Sequence, residues 1–203
     1  TSFDLTEGQQ ALVAAVHKFS RQNLRHHLRE GDESRKLPEK VLDIGWGLGL
    51  AAAGIPVKYD GFAEEQVAVT AALIYEELAW GDLSAAIHLL TPTLLAFPLR
   101  EYGSDNQKDL FLPQLCKGST PALTAALIEP CYQFNPHDLN TTASFNDGTY
   151  TLNGKKLYVP LADRADTILV YAKDLETRST QAFLVKHDNP GISVGEREKL
   201  MGL

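Results

Sequence analysis

Few side chains in this sequence form a recognisable catalytic or ligand-binding motif. Glu129 precedes Pro130 at the end of an apolar stretch, which would place a carboxylate at the rim of a site. A general acid or base works in concert with other polar groups, and the sequence shows no partner for Glu129. A structural role is therefore favoured for this carboxylate.

Two further patterns imitate binding motifs without meeting their requirements. Gly47-Leu48-Gly49 resembles a dinucleotide-binding turn, but that turn follows a strand, and residues 41–46 have a helical pattern. His26 and His27 are neighbours, so on a helix they point to different sides and do not share a metal ion. We expect neither a nucleotide site at Gly47 nor a metal site.

Composition and charge exclude several classes of partner. The chain has 203 residues, of which 44% are hydrophobic, enough for one large core or two modest ones. Acidic residues outnumber basic ones by 26 to 19, and the net charge of -7 excludes nucleic acid as a general partner. No apolar run approaches the roughly 20 residues of a membrane helix, so no membrane span is predicted.

The two cysteines indicate a reducing compartment. Cys116 and Cys131 have neither metal-ligand spacing nor the framework of a secreted protein, although a disulfide between them stays open. The first residues also lack a basic region followed by an apolar core. We expect a cytoplasmic location, or the mitochondrial matrix if a presequence has been removed.

The first 120 residues follow a helical period, with capping boxes, prolines and glycines at its boundaries. The predicted helices are one that follows the capping box of Thr6 and Gln9 and continues towards Leu28, one from Pro38, one over residues 63–80, one over residues 83–102 that bends around Pro92 and Pro98, and one from the capping box of Ser104 and Gln107 to about Gly118.

After Gly118 the pattern changes to short runs rich in Thr, Val, Tyr and Leu, which are typical of strands. Turn signals separate these runs at residues 146–148, 153–154 and 189–191. We predict a hairpin in which residues 150–152 pair with residues 156–159 across Asn153-Gly154. Pro160 has no amide hydrogen, so pairing should end there, before another strand over residues 166–171.

Several longer segments, in this order and at this spacing, are more specific than any single motif. In the first half they are FDLTEGQQALVAAVHKFSRQ, GWGLGLAAAGIPVKYDG, ALIYEELAWGD and REYGSDNQKDLFLPQLCKGS. In the second half they are ALIEP, TASFNDGTYTLNGKKLYV, ADTILVYAK and AFLVKHDNPGISVGEREKLMGL. Through these segments the chain resembles the acyl-CoA dehydrogenase family.

The resemblance implies an α+β multidomain fold. An all-α N-terminal helical domain is expected over residues 1–120, followed by an antiparallel β-barrel-like middle domain over residues 121–203. The sequence stops just after a predicted strand, so the middle domain is expected to be incomplete. In the usual family member a C-terminal helical bundle follows, and FAD lies between it and the middle domain, with contacts from a neighbouring subunit. We therefore expect a homo- or hetero-oligomer.

The reaction implied is the flavin-dependent α,β-dehydrogenation of an acyl-CoA thioester, an oxidation at a CH–CH bond in fatty acid metabolism. A carboxylate removes the α proton, the β hydride passes to the flavin, and electrons leave through an electron-transfer flavoprotein or a similar acceptor. That carboxylate normally comes from the C-terminal bundle, so the resemblance nominates no catalytic base among these 203 residues. We expect the isolated polypeptide not to dehydrogenate acyl-CoA.

The resemblance also indicates which residues meet the cofactor and the substrate. The segment after Asn153-Gly154 usually reads Trp-Ile-Thr in the family and lines the flavin, and here it is Tyr158-Val159-Pro160. Ala126 and Ile128 belong to the other flavin-side segment. Phe134 follows them on the substrate side.

Three of these positions differ from the usual family residues. Ile128 and Pro160 replace threonines, and Pro160 also lacks an amide hydrogen, while Phe134 replaces a serine. Each missing hydrogen bond would cost roughly 1 to 3 kcal/mol where its partner stays buried and unpaired. An enzyme is the leading interpretation. The alternatives are a non-catalytic scaffold or assembly partner with an eroded flavin site, and a module that binds an acyl or CoA ligand without redox chemistry.

Overall fold

The structure, a computed structural model, describes residues 4–34, 36–63, 67–119 and 121–198. The chain divides into a helical unit that runs to Pro121 and a sheet unit over Ala122–Glu198. Some predicted features fall partly outside the described residues: positions 64–66 of the helix predicted over residues 63–80, the start of the first family-like segment at Phe3, and the end of the last family-like segment at residues 199–203.

Helices make up the first unit. Its described α-helices are α1 (Glu7–Phe19), α2 (Leu28–Ser34), α3 (Glu39–Gly47), α4 (Val67–Gly81), α5 (Leu83–Leu90), α6 (Thr93–Tyr102) and α7 (Asp105–Phe111). A π turn over Ser20–Leu24 and 3-10 turns over Ala51–Gly54, Val57–Tyr59 and Leu112–Cys116 lie between or after them. The buried core is mainly aliphatic, with Val16, Leu78, Leu89, Leu95 and Leu112 among its members, and it also contains the aromatic side chains of Phe19, Trp46, Tyr59 and Phe111.

Local side-chain signals set two of the helix starts. Gln9 N donates to Thr6 Oγ1 over 3.1 Å, and Thr6 N donates to Gln9 Oε1 over 3.0 Å. This reciprocal pair satisfies two amides at the start of α1 that have no partner within the helix, so the predicted capping box is confirmed. The second predicted box, Ser104 with Gln107, is confirmed at the start of α7.

Three predicted helices are shorter than expected. The last, predicted to about Gly118, ends at Phe111, and the chain continues as the 3-10 turn over Leu112–Cys116. The first ends at Phe19 because the chain widens into a π turn, in which Arg25 N donates to Ser20 O over 3.0 Å. The helix predicted over residues 83–102 divides into α5 and α6 at Pro92, whose ring nitrogen cannot donate a hydrogen bond, while Pro98 is accommodated within α6. The prediction of a bend is thus confirmed at Pro92.

The segment before Gly47-Leu48-Gly49 lies in α3, so its helical interpretation is confirmed. Gly49 follows with a φ of 68°, a conformation that suits glycine at a helix exit. In the described ranges no single helix is long and apolar enough to cross a membrane. By length and composition α5 and α6 together would be, but they meet at a bend of 41°.

Five strands form one mixed sheet in the second unit: β1 (Leu123–Ala126), β2 (Thr142–Asn146), β3 (Thr149–Asn153), β4 (Thr167–Asp174) and β5 (Thr180–Lys186). β5 runs antiparallel to β4 on one side. The other side of β4 carries two strands in succession, both parallel to it: β1 opposite residues 167–170, then β2 opposite residues 173–174. β2 and β3 form an antiparallel hairpin.

The expected antiparallel, barrel-like middle domain is therefore wrong, because the sheet is mixed and open. The chain leaves the sheet after β1 and returns as β2 in the same direction along β4, so both strands are parallel to β4. Parallel neighbours require long connections, and residues 127–141 and 154–166 supply chain outside the sheet. Among the described strands, β1, β3 and β5 each pair with one neighbour only, and β3 and β5 do not pair with each other.

The hairpin predicted across Asn153-Gly154 is also wrong. The turn lies at Asp147-Gly148, where φ is 49° and 78°, and Asn146 pairs with Thr149. Asn153 is the last residue of β3, and residues 154–159 form no strand. Gly154 instead allows a close approach, because a Cβ there would lie 2.6 Å from Thr141 Cα.

Candidate functional site

The segments in which the sequence predicts cofactor contacts run side by side. Leu157 N donates to Ile128 O over 2.8 Å, which joins the chain after β3 to the chain that leaves β1. Thr124 Oγ1 donates to Pro160 O over 2.7 Å. Val159 packs against a buried cluster that contains Ala126. The structure thus gathers the five predicted cofactor residues: Ala126, Ile128, Tyr158, Val159 and Pro160.

The backbone of this region adopts a demanding conformation. Tyr158 and Leu161 both have a φ of 51°, in the left-handed region. This conformation costs roughly 1–2 kcal/mol for a residue with a Cβ. It persists only where surrounding contacts fix the chain, and the hydrogen bonds at Leu157 and Pro160 flank Tyr158 on both sides. β4 begins at Thr167, so the strand predicted after Pro160 is confirmed, but pairing ends at Asn153 and not at Pro160.

Exposure separates four of the five residues into two groups, and Pro160 is half-buried. Ala126 is buried and Val159 half-buried, so they belong to the packing beneath the surface. Ile128 is 41% exposed and Tyr158 56% exposed, although both side chains are large and apolar or aromatic. Exposed apolar side chains on adjacent segments provide a surface that a flat, largely apolar ligand would cover.

Glu129 follows Ile128 and lies in a buried ion pair. Its side chain is 2% exposed, and Oε1 lies 2.8 Å from Lys156 Nζ, whose side chain is 9% exposed. Glu129 Oε2 accepts a hydrogen bond from Asn140 N over 2.6 Å, and Oε1 accepts one from Thr141 N over 2.8 Å. Lys156 Nζ also donates to Leu127 O over 3.1 Å. The pair therefore connects three stretches of chain.

These contacts confirm the structural role favoured for Glu129. Burial by itself raises the pKa of the carboxyl, but hydrogen bonds from Lys156, Thr141 and Asn140 outweigh it and lower the pKa to about 2. Such an acidic carboxyl holds a proton poorly at neutral pH, and donors already occupy both oxygens. Glu129 is therefore not assigned as a catalytic base.

No motif in the sequence predicts Lys156 as the partner of Glu129. The two residues are 27 positions apart, so no helical or strand period relates them. Lys156 lies only two residues after Asn153-Gly154, but a hairpin turn at Asn153-Gly154 would have placed this lysine in a strand and not beside Glu129. Only the path of the chain after β3 brings the ammonium group to the carboxylate.

Residues 130–139 form a loop outside the sheet, and Glu129 joins its two ends. Its second half is fixed to the strands, since Thr180 Oγ1 donates to Pro136 O over 2.7 Å and Lys173 Nζ lies 2.8 Å from Asp138 Oδ1. Leu139 is buried at the end of the loop. The first half, over residues 131–134, is exposed to solvent, as are residues 135–138.

Phe134, the predicted substrate-side residue, lies in this exposed half and is 36% exposed. It is not part of the contacts that join the five predicted cofactor residues. The loop that carries it nevertheless starts two residues after Ile128. The position of Phe134 therefore depends on the same backbone that leaves β1.

Other parts of the molecule offer little chemistry. An open groove of about 810 Å³ runs along α1, lined by Val13 and Ala14 and by the cations Lys18 and Arg21, and it contains none of the predicted site residues. Within the part of the chain that the structure describes, no group of three or more His, Cys, Asp and Glu side chains is placed to hold a metal ion.

Comparison with known proteins identifies the family. The model of the acyl-CoA dehydrogenase N-terminal domain matches residues 6–119, and the model of the acyl-CoA dehydrogenase middle domain matches residues 124–203. The chain belongs to the acyl-CoA dehydrogenase family.

Relatives and solved structures agree with this assignment. The short-chain-specific acyl-CoA dehydrogenase of Megasphaera elsdenii is 32% identical over 207 residues, which cover 99% of this chain and 54% of that protein. The structure of butyryl-CoA dehydrogenase from the same organism superposes with a TM-score of 0.84 at 31% identity, covering 98% of this chain and 53% of the other.

A glutaryl-CoA dehydrogenase from Mycobacterium smegmatis, solved in complex with FADH2, gives a TM-score of 0.82 at 26% identity. It is covered over 49% of its length, against 96% of this chain. The chain thus spans about half the length of the relatives it matches.

The residues present fit the ring of a flavin better than its polar edge. Ile128 and Tyr158 provide exposed apolar and aromatic surface on adjacent segments. In contrast, Ile128 has no hydroxyl group, and Pro160 has no amide hydrogen and directs its carbonyl oxygen to Thr124. The surface can cover a planar ring, but these two positions add no hydrogen-bond donor to it.

Proposed function

We propose that this chain supplies the N-terminal and middle domains of a flavin-dependent acyl-CoA dehydrogenase. The observation that carries the proposal is the backbone hydrogen bond from Leu157 to Ile128, which joins the two segments that the family resemblance assigns to the flavin. Family membership and the FADH2-bound glutaryl-CoA dehydrogenase support the same cofactor.

In this proposal each residue of the surface has a physical task. Ile128 and Tyr158 cover the flavin ring and exclude water from it, while Ala126 and Val159 pack behind them. Pro160 and the left-handed backbone at Tyr158 fix the direction of the segment before binding, which lowers the entropy lost when a ligand binds. When bound, FAD supplies the acceptor for the hydride that leaves the β carbon of the thioester.

The substrate and partners are inferred from the family. Phe134 contacts the substrate from the loop over residues 130–139. The substrate is an acyl-CoA thioester, and an electron-transfer flavoprotein or a similar acceptor removes the electrons. We propose a homo- or hetero-oligomer, while the cytoplasmic or mitochondrial location stays a prediction from the sequence.

A titration of the purified full-length protein with FAD tests the proposal directly. Binding is followed by the quenching of flavin fluorescence, and butyryl-CoA is then added to the bound flavin. We expect saturable binding and bleaching of the flavin absorption band. Saturable binding without bleaching by butyryl-, octanoyl- or palmitoyl-CoA would contradict a dehydrogenase, and no binding would contradict a flavoprotein.

The residues that differ from the family pattern predict weak FAD binding. Ile128→Thr, Phe134→Ser and Pro160→Thr together restore polar groups, so the triple variant should bind FAD about tenfold or more tightly than the unmodified protein. Tyr102→Ala is the matched control, because this side chain is 91% exposed and lies in the helical unit. Unchanged affinity in the triple variant would show that these positions do not contact the cofactor.

A second function is favoured by the same three residues. Without donors at Ile128 and Pro160, the chain would serve as a non-catalytic scaffold that assembles with an active partner. Gel filtration separates the two functions, since FAD that co-elutes stoichiometrically with the unmodified protein contradicts the scaffold. Elution without flavin, together with a stable complex of two different subunits, contradicts the enzyme.

A further inference from the structure

Three stretches of the sheet unit meet at Glu129 and Lys156. The first is the chain that leaves β1, where Leu127 O accepts from Lys156 Nζ over 3.1 Å. The second is the start of β2, where the amides of Asn140 and Thr141 donate to the Glu129 carboxylate. The third is the chain after β3, which carries Lys156 itself. No sheet ladder connects these three stretches at this point.

We infer that the Glu129–Lys156 ion pair is a positioning device that fixes the loop over residues 130–139 against the segment over residues 154–160. This inference rests on the proposed function, because those two stretches carry the residues assigned to substrate and flavin. Neither Glu129 nor Lys156 is assigned a contact with the ligand. Both act through the backbone that they hold.

The position of the pair in the sheet explains why it is needed. β1 pairs with β4 as far as Val170, and β2 resumes the pairing at Lys173, so the loop leaves and re-enters the sheet across a gap of two residues. Glu129 lies at the exit, and its carboxylate accepts both amides at the re-entry. The ends of the loop are thus held by side-chain hydrogen bonds in place of a ladder.

The Glu129 carboxylate accepts directional hydrogen bonds in addition to attracting the Lys156 ammonium group. A buried ion pair often stabilises a fold no more than apolar residues of similar volume would, because both charges lose their hydration. An apolar pair, however, would leave the amides of Asn140 and Thr141 without acceptors. Only a group with two acceptor oxygens serves both amides and the ammonium group at once.

The third stretch, the chain after β3, also contacts its neighbours through Gly154 and Leu157. Gly154 approaches Thr141 so closely that a Cβ on Gly154 would lie 2.6 Å from the Thr141 Cα. Two positions later Lys156 reaches the carboxylate, and Leu157 N then bonds to Ile128 O. The contacts on this stretch run in sequence from the start of β2 to Tyr158, so a change at Lys156 should move the surface at Tyr158.

The test compares single lysine substitutions in the full-length protein. Lys156→Met removes the ammonium group and keeps an unbranched side chain, whereas Lys155→Met does the same at the exposed neighbouring residue. Lys156→Arg keeps a cation. The measurements are the dissociation constant for FAD, from fluorescence titration, and hydrogen exchange of backbone amides by mass spectrometry.

We expect Lys156→Met to weaken FAD binding about tenfold, the factor that corresponds to one lost buried hydrogen bond. Exchange should accelerate over residues 129–141 and 154–160 and stay unchanged in β4 and β5. Lys155→Met should match the unmodified protein, and Lys156→Arg should recover most of the affinity.

Two results would overturn the inference: a folded Lys156→Met protein with FAD affinity within about twofold of the unmodified one, or exchange that accelerates equally throughout the sheet. If Lys156→Met does not fold, Glu129→Gln combined with Lys156→Met removes both charges, and the same criteria apply to it. If the unmodified protein binds no FAD, the proposed function fails, and the exchange pattern alone decides the inference.

Discussion

The two units of this protein are built by different kinds of information. In the helical unit, short-range signals such as the capping box of Thr6 and Gln9 place the helices, and the core is a set of buried aliphatic and aromatic side chains. In the sheet unit, the decisive contacts join residues far apart in the chain, such as Glu129 and Lys156. The helical unit should therefore tolerate the loss of one local contact better than the sheet unit tolerates the loss of its ion pair.

The largest effect should come from Glu129→Ala. It leaves the buried Lys156 ammonium group with only Leu127 O as an acceptor and removes the acceptor of the Asn140 and Thr141 amides, which costs about 3–5 kcal/mol. Leu78→Ala is the matched change in the core of the helical unit, where the side chain is fully buried, and it should cost about 2–5 kcal/mol.

Chemical denaturation followed by hydrogen exchange measures both variants. Glu129→Ala should destabilise the sheet unit around residues 127–141, and Leu78→Ala should destabilise the helices. A Glu129→Ala protein as stable as the unmodified one would show that the ion pair contributes nothing to the fold.

Low pH should break the same ion pair without a substitution, because it protonates Glu129. The folded-state pKa of Glu129 is lowered to about 2 from an ordinary 4.5, so its stabilising effect is complete above the ordinary value and is lost as the pH falls through the folded value. We expect the free energy of unfolding to decrease between about pH 4.5 and 2.

Glu129→Gln, which cannot ionise, is the control for this titration. Its stability should change less over the same pH range, measured by urea denaturation at each pH. Parallel pH profiles of the two proteins would mean that other carboxyl groups cause the acid sensitivity.

A smaller effect separates two glycines of the sheet unit. Gly154→Ala forces a Cβ against the backbone of Thr141 and should cost about 1–3 kcal/mol, as overpacking does. Gly148→Ala meets no atom within 4 Å but keeps a φ of 78°, so it should cost about 1–2 kcal/mol from backbone strain alone.

The midpoints of thermal unfolding of these two glycine variants show which substitution destabilises the protein more. FAD affinity adds a second comparison, because only Gly154 lies on the stretch that leads to Tyr158. Equal losses of affinity in both variants would contradict a specific link between Gly154 and the proposed flavin surface.

The smallest expected effect is at the capping box. Thr6→Ala removes the acceptor for Gln9 N and should cost about 1 kcal/mol, because the α1 amide can bond to water instead. Thr6→Ser keeps the hydroxyl group and serves as the control. Urea denaturation should show the difference in the helical unit, and a Thr6→Ala protein with unchanged stability would mean that the box contributes no net free energy.

The sequence predicted the elements of the helical unit because their signals are local. A capping box, a proline or a period of three to four residues acts within one or two turns of helix. The change of period after Gly118 also predicted where strands begin. The segments shared with the acyl-CoA dehydrogenase family then predicted the family, which the domain models confirm.

The tertiary structure decided between two turn signals that the local sequence does not distinguish. Asp147-Gly148 and Asn153-Gly154 are both turn signals, but only the first lies between two segments that pair with each other. Asn153-Gly154 became a point of close approach, since the next residues are drawn towards Glu129 by Lys156 and towards Ile128 by Leu157.

The sequence by itself thus determined the family, the helices and the segments that carry the candidate site. Only the tertiary structure decided the strand directions, the open form of the sheet and the partner of Glu129. The physical reason is range: helix signals act between residues three or four apart, whereas strand pairing and a buried ion pair depend on which distant segments the folded chain brings into contact.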